Sequence, residues 1–329
     1  MSIPATMTAI EARTAGGPDV LAPVTIPVPA PRPGEVLIRV VAAGINGPDL
    51  AQRRGIYPAP EGHSPIIGLE VSGEIVVAAG RWKIGDKVVA LVNGGGYAEY
   101  VAVPAGQVLP VPANWSLVEA AGLPECWFTN TQTLAMRAGL SQGMSLLVTG
   151  AAGGIGGAAI QMARLLGAEP IAIVGSAGKA DYVRALGATG IIRHDTDDII
   201  ARTRELTAGR GADIVLDMLG GDATVRHVDA VARGGHIVLV ATLEGREGPF
   251  PLIKLIARQL TVSGSTLRHQ PSATKAAIAD YLEAHFWPAL SDPAFLHHHT
   301  RQCPLAEAAA GHRAVEDRAG YGKVVLVTG

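Results

Sequence analysis

The sequence predicts an α/β protein: a doubly wound parallel sheet joined to a β domain. Three observations predict it. From Ser145 onward, strand-length apolar runs alternate with helical segments, which is the βαβ rhythm. Roughly the first 120 residues instead carry β-branched runs punctuated by glycine and proline, without helical patterns between them. At the first strand-to-helix junction of the alternating part stands VTGAAGGIGGAAI, residues 148–160, a glycine-rich turn of the kind that wraps a phosphate.

Four runs define the early strands: VLIRVVAAGI (36–45), VSGEIVVAA (71–79), DKVVALV (86–92) and AEYVAVP (98–104). PRPGE (31–35) reads as an opening turn, with proline fixing φ ahead of the first of them. The character changes near Leu117, where LVEAAGLPECWFTNTQTLAMRAG reads as helical. Strand SLLVTG and a helix to Gly167 follow, then strand PIAIVG (170–175) and helix KADYVRALG (179–187). Next come strand TGIIRH, helix DDIIARTREL, strand ADIVLDML (212–219), helix DATVRHVDAVA (222–232) and strand GHIVLVA (235–241). Strands apolar at nearly every position suit a parallel sheet buried on both faces. After Thr266 a long helix, SATKAAIADYLEAHFWPAL, precedes PLAEAAAGHRAVED and one strand, KVVLVTG. One strand cannot make a domain, so it is expected to return to the first one. The expected division is 1–120, 121–266, and a returning segment 267–329.

Composition narrows the function. The chain has 329 residues, 48% hydrophobic and 17% charged, so a sizeable core is easily buried and a folded chain is expected,. Lys and Arg number 27 against 29 Asp and Glu, a net charge of −2, which argues against binding nucleic acid by overall charge. No apolar run approaches the roughly 20 residues that span a bilayer. The N-terminal MSIPATMTAIEART lacks the basic start and apolar stretch of a signal peptide,. Two cysteines, Cys126 and Cys303, cannot build a disulfide scaffold or a four-cysteine zinc site,. A soluble, reduced, cytoplasmic protein is expected.

The glycine-rich turn carries the strongest chemical signal. Residues 151–156 read A-A-G-G-I-G, a variant of G-x-G-x-x-G with alanine first. Gly153 would let the backbone approach a pyrophosphate, and Gly156 would let the helix pack closely on the strand. Gly150, Ala152, Gly153, Gly154, Ile155 and Gly156 are therefore the expected dinucleotide-binding residues, with steric packing of a turn as the alternative. The second strand ends Val174-Gly175-Ser176, without the carboxylate that binds the ribose of NAD,. Ser176 and Lys179 supply donors instead, so NADPH is expected over NADH. The alternative for Lys179 is a solvated helix start.

These residues, with AAGINGPDL (42–50), RRGIYP (53–58), PIIGLEVSGEI (65–75), GGGYAEYV (94–101), GSAGKADYVRALGA (175–188) and GKVVLV (322–327), make the chain resemble the medium-chain dehydrogenase/reductase superfamily. Within it, the chain is most similar to the zinc-independent quinone oxidoreductases, the zeta-crystallin-like branch. The resemblance implies a GroES-like β-barrel catalytic domain, a Rossmann domain and an active site in the cleft between them. Zinc-dependent relatives use a Cys and a His in the first domain and a third ligand near the second. Here those positions read Asn46 or Gly47, Leu69 and Cys126, and a single thiol cannot hold a catalytic zinc that needs three protein ligands. The four-cysteine structural lobe of such relatives is absent. Cys126 is expected to be a partly buried cleft residue. His297, His298 and His299 are consecutive, which is no metal-ligand spacing, and are expected at the surface or in a turn, with incidental metal affinity.

Without a metal to polarise an alcohol, the chemistry implied is hydride transfer from NADPH to an acceptor that is already electrophilic, a quinone first. The resemblance puts Asn46 beside nicotinamide and substrate, where its amide would meet a developing oxyanion; a turn residue is the alternative. Tyr57 would donate a proton or line the pocket, or pack a loop. Thr129 would lie near the carboxamide. Trp127 and Phe128 read as core packing, with a cleft wall as the alternative. Leu219, Val240, Ala241 and Leu267 would flank the cofactor. His194 and Arg318 would lie near the adenosine phosphate, strengthening NADPH binding at lower pH. Two further readings stand beside quinone reduction: reduction of activated C=C bonds in enones or enoyl thioesters, and NADPH binding without catalysis. Arg53 and Arg54 would rim a thioester-CoA site or form a solvated turn. A homodimer through residues 245–266, where PFPLIKLIARQLTVSG is apolar, is implied by resemblance.

Overall fold

The computed structural model describes residues 3–329. The chain forms two compact units, one of residues 1–128 and 267–329, the other of residues 129–266.

In the first unit, β1 (Thr6–Ala12) and β2 (Leu21–Pro27) pair as an antiparallel hairpin. Then come β3 (Glu35–Gly44), α1 (Gly47–Arg53), β4 (Glu70–Val77), β5 (Lys87–Leu91), β6 (Tyr100–Pro104) and β7 (Val108–Pro110). The short α2 (Leu117–Ala120) and α3 (Pro124–Asn130) follow. Val36, Ile38 and Val40 of β3, Ile75 of β4 and Val88 of β5 meet Tyr97 in one buried cluster. That cluster accounts for the β-branched runs.

The second unit opens on a π-helical turn, Thr131–Arg137, closed by a five-residue hydrogen bond from Ala138 N to Thr133 O. It continues β8 (Ser145–Val148), α4 (Gly154–Leu165), β9 (Glu169–Val174), α5 (Ala177–Ala185), β10 (Gly190–Arg193) and α6 (Ile199–Leu206). Then follow β11 (Ala212–Asp217), α7 (Gly221–His227), β12 (Val231–Leu239), α8 (Leu252–Arg258) and β13 (Thr261–Gly264). All six strands are parallel, in the order β10-β9-β8-β11-β12-β13. The chain winds one way from β8 and then the other from β11, which is the Rossmann order. Such sheets bind ligands beyond the strand ends where the winding reverses.

The remaining elements, α9 (Ser272–His285), α10 (Trp287–Leu290), β14 (Thr300–Pro304), α11 (Ala308–Glu316) and β15 (Lys323–Val327), belong to the first unit. β15 pairs antiparallel with β3, Val325 opposite Gly44, so the last strand does return to the first sheet. The order there is β14-β15-β3-β4-β5-β7, with β6 also on β3.

Three local expectations are corrected. The long helix breaks at Phe286, because Pro288, in the first turn of α10, lacks the N–H a continuous helix needs. Val231 and Ala232, expected in a helix, begin β12, where Val231 pairs with Ala212 and both are fully buried. β14 was not expected: its sequence TRQCP buries only Cys303, so it carries no alternating apolar signal. Among the described residues no helix is long and apolar enough to cross a membrane.

Candidate functional site

The first unit buries a connected polar cluster. Asn46 precedes α1 in extended backbone, and the Asp49 carboxylate accepts a hydrogen bond from Asn46 N at 2.7 Å. N-G-P-D thus starts a helix, with the Asp49 carboxylate capping the Asn46 N–H and proline in the first turn,. The Asn46 Nδ2 donates to Glu70 Oε1 at 2.8 Å, and Lys323 Nζ donates to Asn46 Oδ1 at 2.7 Å and to Glu70 Oε1 at 2.5 Å. Glu70 opens β4 and Lys323 opens β15, the two strands that flank β3. Their side chains are 0% and 4% exposed. Glu125 N donates to the other Glu70 oxygen at 2.9 Å. The Cys126 thiol bonds to Lys323. Burial within this cluster pushes that thiol up to about 12. Cys126 is 2% exposed, so it is buried rather than partly buried.

The cluster continues along α1. Arg53 is 1% exposed on its side chain, pairs with Glu316, and donates to His312 Nδ1 at 3.2 Å. Since arginine only donates, His312 carries its proton on Nε2 and gives it to the Tyr97 oxygen at 3.0 Å,. Tyr97 in turn donates to Asp49 at 3.3 Å. The expectation that Arg53 lies in a solvated turn or on a basic rim is corrected. Only Arg54 is exposed, and it shares Glu316. Burial raises Asp49 to about 7 against the opposing Asn46 N–H bond. Burial, with Arg53 beside it, lowers His312 to about 3. Burial alone would lower Lys323, yet Cys126 and Glu70 raise it above its usual range.

A second group surrounds Tyr57. Arg268, buried between Leu267 and His269, donates to Asn93 O at 3.0 and 2.7 Å, to Gln52 Oε1 at 2.7 Å and to Tyr57 O at 3.4 Å. Its guanidinium lies 5.4 Å from the Tyr57 ring centre. Lys275 Nζ donates to Arg268 O at 2.8 Å and to Asn93 Oδ1. The Tyr57 hydroxyl and His269 Nδ1 are 3.2 Å apart. Leu267 is buried beside them in sequence. Arg318 follows α11 in left-handed backbone, φ 49°, and is exposed.

In the second unit the phosphate loop has the expected form. Gly150 turns the chain at φ 57°, and Gly153 precedes α4 in extended backbone. A Cβ on Gly156 would lie 2.5 Å from Ala151 Cα, so only glycine lets α4 start so close to β8. Ala152 is buried, and Ile155 O accepts from Asn130 Nδ2 at 2.9 Å. Gly154 is the first residue of α4, whose opening N–H groups have no partner within the helix. The donor set thus fits a dinucleotide pyrophosphate. At the end of β9, Ser176 caps α5 by accepting from Lys179 N at 3.4 Å. His194 N bonds to Val174 O at 3.0 Å, and a Cβ on Gly175 would meet its ring at 2.6 Å. Gly175, Ser176, Lys179 and His194 are thereby brought together. Val240 N and Leu219 N both bond to Asp217, at 2.9 and 2.7 Å, and Ala241 follows half-buried. Asp217 is the hub: burial alone would raise it, but His227 and two backbone N–H groups hold it below its usual range. Thr129 is buried next to the π-helical turn, its carbonyl accepting from Thr133 Oγ1 at 2.7 Å.

Asn46, Tyr57, Leu267 and Arg318 lie in the first unit, and the other predicted residues in the second. Trp127 and Phe128 are buried, Trp127 against Phe286 and Phe295 at 6.0 and 6.3 Å, as core packing requires. The histidine triplet is corrected in part. His299 is exposed, His297 stacks on Trp115 at 3.8 Å, and His298 is held neutral by burial, lowered to about 3. Among the described residues, no three His, Cys, Asp or Glu side chains form a metal-ligating group. Sequence reasoning assigned no role to Glu70, Lys323, Arg268, Lys275 or His269. A lysine heading the apolar run KVVLV was the one signal available for Lys323.

Glu125 is raised to about 8 by burial, then by Glu70 and Asp49. The native state therefore holds a proton that the unfolded chain releases near its usual 4.5. Its stabilising effect is complete below that value and is lost as pH rises through about 8,. The Tm of Glu125→Gln relative to the wild type should accordingly climb between pH 5 and pH 8. A constant difference by calorimetry would contradict this.

Two family models match the chain: alcohol dehydrogenase GroES-like domain over residues 32–113 and zinc-binding dehydrogenase over residues 154–283. The synaptic vesicle membrane protein VAT-1 homolog of Rattus norvegicus is 30% identical over 321 residues, 92% of this chain and 78% of that protein. The 2-haloacrylate reductase of a Burkholderia species is 29% identical, covering 95% of this chain and 96% of its own. A phenolphthiocerol/phthiocerol polyketide synthase polypeptide of Mycobacterium tuberculosis is 32% identical over 211 residues, but the match spans only 10% of its length. Among solved structures, a mycobacterial protein complexed with NADPH superposes with a TM-score of 0.88 at 29% identity, covering 98% of this chain and all of that one. The Pseudomonas syringae pv. Tomato DC3000 quinone oxidoreductase gives 0.85 at 29% identity, covering 98% and 99%. With both domains matched and these likenesses running nearly end to end, the chain belongs to the medium-chain dehydrogenase/reductase superfamily of NAD(P)-dependent oxidoreductases.

Proposed function

We propose that this chain is a zinc-independent, NADPH-dependent oxidoreductase that reduces quinones. One observation carries the metal-free part. The Lys323 ammonium stands among Asn46, Glu70 and Cys126, and by the resemblance Asn46 or Gly47, and Cys126, would match positions where zinc-dependent relatives place ligands. A fixed positive charge there disfavours a divalent cation, which would have to displace the ammonium from Glu70 and Asn46,. With no Lewis acid, the acceptor must be electrophilic on its own.

NADPH supplies the hydride. The first turn of α4 and Gly153 would hold its pyrophosphate. The absence of an acid after β9, and the grouping of Ser176, Lys179 and His194, support the 2′-phosphate over a bare ribose. NADPH bound to the mycobacterial structure supports the same choice. Asn46, with its carbonyl fixed by Lys323 and one Nδ2–H by Glu70, would offer its second Nδ2–H to the acceptor oxygen. Thr129 would sit by the carboxamide. Tyr57 would face the acceptor as proton donor. A second reading, reduction of activated C=C bonds, is favoured by the 2-haloacrylate reductase relative.

A homodimer is part of this proposal. α8 exposes Leu252, Ile253 and Ile256 at 68%, 73% and 73%, beside the edge strand β13. An apolar helix next to an open sheet edge favours pairing with a second copy. Light scattering should give two chains per particle, and one for Ile253→Glu/Ile256→Glu. A wild-type monomer would contradict this.

The function is tested by NADPH oxidation with para- and ortho-quinones, an enone and an enoyl-CoA, repeated with NADH and with Lys179→Ala. Quinones should give the highest kcat/KM. Lys179→Ala should reduce the preference for NADPH by about tenfold, the worth of one charged hydrogen bond. Preference for the enone supports the second reading, and no turnover with any acceptor supports binding without catalysis.

A further inference from the structure

We propose that Arg268 and Lys275 form an anion subsite beside Tyr57, so that the preferred acceptor is an electrophile carrying one negatively charged group, a carboxylate or a sulfonate. This rests on the reading above that Tyr57 faces the acceptor.

Both side chains are cationic and buried: Arg268 is 5% exposed and Lys275 0%. Buried cations are ordinarily matched by a carboxylate. Here every oxygen that accepts from them is neutral. Arg268 donates to Asn93 O, Gln52 Oε1 and Tyr57 O, and Lys275 to Asn93 Oδ1 and Arg268 O. A guanidinium has five N–H donors and an ammonium three. The bonds formed use four on Arg268 and two on Lys275. Among the described residues, each cation thus keeps one N–H without an acceptor and has no carboxylate paired with it.

The positive charge continues to the surface. Asn93 is half-buried, and its Nδ2 lies 3.1 Å from Nε2 of the exposed His63. Exposed Arg32 donates to Gly62 O at 3.2 Å, next to His63. Burial, then Lys275, Arg32 and Arg268, hold His63 below its usual range. Burial lowers Lys275 to about 8, with Glu125 opposing and Arg268 adding to the effect. The carboxyl groups that face these residues are engaged elsewhere. Glu125, raised to about 8 by burial, keeps its proton at neutral pH. Asp49 accepts from Asn46 N, Gly68 N and the Tyr97 hydroxyl. Glu35 accepts from Arg32 N at 2.8 Å.

One carboxylate or sulfonate supplies what the pair lacks: a negative charge, and oxygens for the two N–H groups left over. The Arg268 guanidinium lies 5.4 Å from the Tyr57 ring centre, so one small acceptor can reach both. The charge selects the acceptor in the way a neutral packing contact cannot, because burial leaves it little screened by water.

The test pairs 1,4-naphthoquinone with its 2-sulfonate, using NADPH at pH 7, where Lys275 is still charged. The ratio of their kcat/KM values is measured for wild type and Lys275→Gln. Glutamine keeps a hydrogen-bond donor and removes the charge, and the ratio cancels the intrinsic reactivity of the two quinones. The sulfonate's advantage should fall about tenfold in Lys275→Gln, the worth of one charged hydrogen bond, chiefly through its KM. Calorimetry on the wild type loaded with NADPH needs no substitution. It should detect binding of benzoate and not of benzamide, its neutral counterpart. A ratio unchanged in Lys275→Gln, or benzamide binding as tightly as benzoate, overturns the subsite. Turnover of neither quinone refutes quinone reduction alone. Benzoate binding then decides the subsite by itself, selective binding supporting it and no binding overturning it. It decides in the same way if Lys275→Gln does not fold.

Discussion

An ammonium sealed beneath a carboxylate, an amide and a thiol is the constraint on which the first unit depends. Glu70 and Lys323 come from strands 253 positions apart and are almost wholly buried. Leaving either charge alone there would cost about 3–5 kcal/mol, the usual penalty for an orphaned buried ion. The pair therefore fixes how the last strand must enter the first sheet. β15 has to lie against β3 with Lys323 at the level of Glu70. The same ammonium fixes Asn46, whose amide oxygen it holds, and so sets the start of α1.

From Asn46 the polar cluster spreads without a break through Asp49, Tyr97, His312 and Arg53 to Glu316 at the surface. Each member has a partner, which is what lets so many polar groups lie inside a β-rich core. Burial keeps Asp49 protonated more readily than usual and His312 neutral. The network is rigid by construction, and it orients one amide, Asn46, at its end. The Tyr57 group stands apart from this network and is more exposed, His269 at the surface and Tyr57 half-buried.

Much of the fold was legible because its signals are local. Val, Ile and Leu at nearly every strand position announced the parallel sheet, and the glycines from 150 to 156 announced the turn before α4. The returning strand KVVLVTG was legible because a single apolar strand cannot make a domain of its own. The misses share one physical cause: their reason lies far away in the chain. TRQCP becomes a strand only because β15 offers an edge. Arg53 is buried only because Glu316 and His312 come from the C-terminal helix. Arg268 is buried only because Gln52, Tyr57 and Asn93 come from distant parts of the chain to meet it. Of the candidate site, the loop glycines and Asn46 could be chosen from the sequence, while Lys323, Arg268 and His269 needed three dimensions.

Whether the ammonium truly stands in a metal's place is the claim on which the chemistry turns. Cobalt(II) added to the purified chain reports it directly, because a cobalt–thiolate bond at Cys126 would absorb as a charge-transfer band. No such band is expected at one equivalent of cobalt, in the wild type or in Cys126→Ser. A band that saturates at one equivalent and disappears in Cys126→Ser would contradict the exclusion of the metal by Lys323.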